Sequence, residues 1–132
     1  MRSDIAIRLS AADAARDLSA LRSAAGHACI LHFLHRVVSQ PLLTTERITR
    51  HVAVSWLPAP LPGAAGGFEM RVTLIVAAAG QPRVRSFSDT LGFVSGPAEV
   101  SLNAMRVGHP VSSETENRLL LLLYRRAKAH RL

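Results

Sequence analysis

Phe68-Glu69-Met70-Arg71-Val72-Thr73-Leu74-Ile75-Val76 sets Phe68, Met70, Val72, Leu74 and Val76 in alternation with Glu69, Arg71, Thr73 and Ile75. A period of two residues is that of a β-strand with one face buried. Gly80, Gln81 and Pro82 follow, pairing a residue that accepts positive φ with one whose φ is fixed, so the chain turns there. Arg83 to Phe93 then returns as a second strand. A turn centred on Gly80 sets Arg71 opposite Asp89 and Val84 opposite Val76 on the core side. It leaves Arg71, Thr73, Ile75, Arg83, Arg85, Phe87 and Asp89 on the other face.

Outward from this hairpin, Arg47 to Leu57 alternates Ile48, Val52, Val54 and Trp56 with Thr49, His51, Ala53 and Ser55, which predicts a further strand. Between the two lies 58–67, with three prolines and three glycines, which reads as a loop. Ser3 to Leu9 alternates Ile5, Ile7 and Leu9 with polar residues, as a short edge strand does.

Ser10 with Asp13 forms a capping signal, and a helix is expected from Ala11 to Val38, with Gly26 its weak point and Pro41 its end. Its second half, from His27, is apolar nearly all round, so more than one surface must cover it. Ile30, Phe33, Leu34 and Val37 are the expected contacts of a homodimer or of a protein partner. Downstream, Ser95-Gly96-Pro97 is read as a helix start, with a short helix over 98–107 closed by Gly108 and Pro110. Ser113 with Glu116 signs the last helix, whose far end carries Arg125, Arg126 and Lys128, favourable at a helix C-terminus.

The expected fold is α+β: an antiparallel sheet of three to four strands with helices packed on one face, in the order β-α-β-β-β-α-α. Residues 1–132 form a single basic domain, long enough for a core without disulfides or metal. The lone Cys29 permits no internal disulfide, and no apolar run approaches the ~20 residues that cross a bilayer, so a cytoplasmic protein without membrane association is expected.

Sixteen basic residues against nine acidic ones give a net charge of +7, and all the basic residues but Lys128 are arginine. Arginine grips phosphate bidentately and stacks on bases, which points to DNA or RNA as partner. Arg71, Arg83, Arg85 and Phe87 on the sheet face, with Arg125, Arg126 and Lys128 on the last helix, are the candidate nucleic-acid-binding residues. A cross-strand Arg71–Asp89 pair on a solvated face is the competing reading of the same residues.

Cys29, His32 and His35 recur every three residues and are the weak candidate metal ligands, but three positions stepping round one helix do not converge on one ion. No metal or other cofactor is expected, and the chain shows no paired carboxylates, glycine-rich phosphate loop or nucleophile elbow. The expected function is that of a small basic, non-enzymatic, nucleic-acid-associated binding protein. Two alternatives stand beside it: an assembly subunit, of phage or mobile-element type, that self-associates through the apolar helix, and a small-ligand enzyme or sensor with a pocket under 58–67 and His51 or Trp56 at its mouth.

Overall fold

The computed structural model describes residues 1–40, 48–57, 61 and 67–130. The elements run β1 (Arg2–Ile7), α1 (Ala11–Arg22), α2 (Ala24–Ser39), β2 (Ile48–Leu57), β3 (Gly67–Ala78), β4 (Val84–Ser95), β5 (Ala98–Val107) and α3 (Ser113–Ala129). The strands make one antiparallel sheet in the order β1-β5-β4-β3-β2. The chain is α+β as expected, but with five strands rather than three to four and in the order β-α-α-β-β-β-β-α.

The central hairpin has the register its pattern implies. Arg71 faces Asp89 and Val76 faces Val84 across β3 and β4, and Gly80 takes the turn at φ 73°. The expected helix over 98–107 is instead strand β5. Ser95 pairs with Ala98, so Gly96-Pro97 is a two-residue hairpin loop, with Gly96 at φ 56° and proline fixing the next φ. Ala98, Val100, Leu102 and Ala104 are buried while Glu99, Ser101 and Asn103 are less so, a two-residue period that overrides the helix-start reading of Gly-Pro.

The helices lie on both faces of the sheet, not one. Leu91, Phe93, Val100 and Leu102 point to one face and are buried there with Leu61, Leu120 and Ala127 under α3. The Tyr124 ring meets Phe93 edge-on at 5.3 Å. The opposite face, bearing Phe68, Met70, Val72, Leu74 and Val76, receives α1 and α2. That face was expected to carry the core, yet these five residues are only half-buried, because α1 packs on β4 and β5 and α2 on β2, leaving the middle of β3 partly open.

One expected long helix is two. The break falls at Ser23, whose extended backbone ends α1 and whose hydroxyl accepts from the Gly26 N–H to cap α2. Gly26 lies just inside α2, where a Cβ would come 2.1 Å from the Ala20 carbonyl oxygen, so the elbow needs a residue without a side chain. Ser10 caps α1 as its pattern predicts, accepting from the Asp13 N–H. At α3 the cap is Ser112, bonded to the Thr115 N–H, rather than Ser113, which frees Glu116 for another task. Pro41 and most of the 58–67 stretch lie outside the described residues.

Candidate nucleic-acid interface

The strand register sorts the α3-side face of the sheet into rows. One row holds His51, Ile75 and Arg85, the next Ala53, Thr73, Phe87 and Arg106, and a third Ser55, Arg71, Asp89 and Ala104. α3 packs on β4 and β5. It buries the third row at Asp89 and Ala104, whereas the first two rows hold no buried residue. An open half-sheet therefore carries one aromatic ring, Phe87, directly opposite Arg106, with Arg85 two residues along β4 on the same face.

Arg106 is not among the residues expected at the interface, because a helix over 98–107 gives it no register on the sheet. The signal that would have found it is the alternation of β5, which puts Arg106 in register with Phe87. Arg83, at the hairpin turn, and Arg85 and Arg106 are all exposed, and none makes an ion pair among the described residues. Among the described residues, Glu114 is exposed in the first turn of α3 and the other acids are paired or buried. Asp4, Asp13, Asp17 and Glu99 pair with Arg2, Arg16 and Arg8 on β1, α1 and β5. Glu69, Asp89 and Glu116 are buried. Among the described residues this leaves Arg83, Arg85 and Arg106 without an acidic partner.

Arg71 differs from the other sheet arginines. Its Nε donates to Asp89 Oδ1 at 2.5 Å and its Nη2 to Asp89 Oδ2 at 3.2 Å, and Nη2 lies 3.5 Å from Glu116 Oε2. The cross-strand pair is thus formed, and it lies under α3 rather than on a solvated face. The Glu116 carboxyl is fully buried, and among the described residues no hydrogen-bond partner meets either of its oxygens. Burial raises it to about 8, with Asp89 beside it adding to the rise and Arg71 opposing. Glu116 sits in the first turn of α3, where the helix dipole favours a carboxylate by about 0.3–1 kcal/mol; desolvation outweighs it. Burial raises Glu69 as well. Arg71 still reaches the surface at one edge, where it borders with Arg106, His109 and Ser112 a cleft of about 660 Å³ beside the start of α3.

The remaining expected residues are dispersed. Arg125, Arg126 and Lys128 are exposed on the last turns of α3, with the Lys128 ammonium 5.0 Å from the centre of the Tyr124 ring. Cys29, His32 and His35 are exposed on α2 and do not come together. Among the described residues no three His, Cys, Asp or Glu side chains are grouped to hold a metal ion. His51 is exposed on β2, and Trp56 stacks on the His27 ring at 3.7 Å on the other face, so the two do not share a mouth. The pocket expected under 58–67 lies outside the described residues. No helix among the described residues is long and apolar enough to cross a membrane. Compared with family models, curated proteins and solved structures, the chain matches none.

Proposed function

We propose that this chain is a small non-enzymatic protein that binds nucleic acid, holding phosphates with Arg83, Arg85 and Arg106 and stacking a base on Phe87. The observation that carries this reading is the Phe87–Arg106 row on the open half of the sheet face, where Arg83, Arg85 and Arg106 have no acidic partner among the described residues. Guanidinium groups flanking a ring suit a single strand, since the cations follow the backbone while the ring takes any base. Arg71 contributes at the cleft edge, and Arg125, Arg126 and Lys128 add phosphate contacts from α3.

Arg85→Ala combined with Arg106→Ala is expected to weaken binding of labelled single-stranded DNA or RNA by at least ~10-fold. The dependence of log affinity on log salt should flatten by about 1.4, two contacts at roughly 0.7 each for a single strand. Fluorescence anisotropy at two salt concentrations measures both. Arg2→Ala with Arg16→Ala removes the same charge from the β1–α1 side and should change affinity far less; an equal loss in the two variants would leave only non-specific attraction.

A second reading, self-association, rests on a different observation. Although α2 is apolar nearly all round, none of its side chains is buried. Phe33 is 62% and Val37 44% exposed, and Ile30 and Leu34 are half-covered. On the same side of the sheet Met105 is 77% and Val107 64% exposed. A second copy laid on this face would cover both, leaving the arginine rows on the outer face of each subunit. Phe33→Asp is expected to convert a dimer to a monomer by light scattering without unfolding it, because the ring is already exposed in the single chain. A wild-type chain that runs as a monomer at high concentration would dispose of this reading.

A further inference from the structure

A crevice of about 540 Å³ lies between the α1–α2 elbow and the β1–β5 side of the sheet, within the range of small-molecule sites. Its walls are apolar: Leu18 and Leu21 from α1, Ile30 from α2, and Phe68, whose ring lies over Gly92. A Cβ at position 92 would meet that ring at 2.6 Å and the Val100 carbonyl oxygen at 2.8 Å, so the glycine makes room for the floor of the crevice. Cys29, the only thiol of the chain, is exposed and faces into it.

The rim has the opposite sign to the rest of the molecule. Arg8 bridges helix and sheet, its Nε 3.0 Å from Asp17 Oδ2 and its Nη2 2.8 Å from Glu99 Oε2. One guanidinium is thereby shared by two carboxylates, and one negative charge is left over. Asp4, also on the rim, is held by Arg2. In a protein of net charge +7, an acid-rich mouth on an apolar crevice selects against the anions that the surface otherwise attracts.

We infer that this crevice binds a small amphipathic cation, an apolar body ending in an ammonium group, with the body between Leu18, Leu21, Ile30 and Phe68 and the ammonium against Asp17 and Glu99. The crevice lies on the sheet face opposite the arginine rows.

Cys29 makes the test direct. The purified chain is alkylated with N-ethylmaleimide, an uncharged reagent, and the rate is followed by mass spectrometry with and without single-chain amphiphiles below their micelle concentrations. Dodecyltrimethylammonium is expected to slow alkylation several-fold and saturably. Dodecanoate and dodecyl maltoside should have little effect, although the net charge of the protein favours dodecanoate. In Asp17→Asn with Glu99→Gln the preference for the cation over the neutral maltoside should disappear. Circular dichroism of the variant confirms that it folds, and Asp17→Asn alone, which leaves the Arg8–Glu99 link intact, should lose part of the preference if the double variant does not fold. Equal slowing by cation and anion, no slowing by either, or alkylation that slows only as the protein is concentrated would overturn the assignment, the last because a second copy would then fill the crevice.

Discussion

Arg71→Met should cost about 3–5 kcal/mol of folding stability, the largest loss expected from any single side chain discussed above. The guanidinium of Arg71 is the only cation that touches Asp89 and Glu116 among the described residues, and both of those carboxyl groups are buried beneath α3. Without it, two buried carboxyl groups are left with no cation beside them among the described residues, and the penalty for burying them unpaired falls on the α3–sheet contact. Denaturant unfolding should show the midpoint moving sharply while the slope, which follows the exposed area, stays nearly constant. The same measurement on Arg71→Met with Asp89→Leu and Glu116→Gln should recover most of the loss, since a cluster replaced as a whole leaves no orphaned charge. A single variant as stable as the wild type would mean that water reaches Asp89 freely. Failure of the triple variant to recover would mean that Arg71 acts through packing.

Stability should also fall as pH rises from about 5 to 8, in the direction opposite to ordinary acid denaturation. Glu116 is raised from 4.5 to about 8 in the folded chain. Between those values the folded state holds a proton that the unfolded state has released, so each step up in pH favours unfolding. The contribution of this group is complete below about 4.5 and is gone once pH passes 8, with a slope of at most ~1.4 kcal/mol per unit between. Glu69, raised by its own burial, acts with the same sign. Asp13, lowered chiefly by its hydrogen bond with Ser10, acts with the opposite sign only in the acid range and is exposed to solvent. Glu116→Gln keeps the shape of the protonated side chain and cannot ionise. It should flatten the fall and make the variant more stable than the wild type at pH 8, as thermal melts at pH 5, 6.5 and 8 would show. Parallel pH curves for the two proteins would place the proton elsewhere.

Within the strands, the alternation of Phe68 to Val76 and the Gly80 turn determined a hairpin and its register, down to Arg71 opposite Asp89. Both features are local: a two-residue period and a turn that tolerates positive φ act within a few residues of themselves. The same local logic was present at Ala98 to Val107 and at Gly96-Pro97, where alternation should have outweighed a helix-start signal common to turns. Ser23 was equally local, a capping hydroxyl in the middle of an apolar run, but its choice over Gly26 depends on how closely α2 approaches Ala20.

The sequence by itself thus determined the α+β class, the central hairpin, the edge strand, the apolar character of the second helix and the excess of arginine. Which face of the sheet each helix covers was decided only by the tertiary structure. The apolar set of β3 is only half-buried, whereas Glu69 on its polar set is buried, so the pattern of β3 alone does not say where α3 will lie. The placement of α3 made Arg71 the partner of two buried carboxyl groups and Glu116 a proton-holding side chain rather than a cap. It left Phe87, Arg85 and Arg106 on the open half of the sheet. Burial, unlike alternation, depends on residues distant in sequence, and that is why the charge of the chain could be counted from its residues but not assigned to a surface.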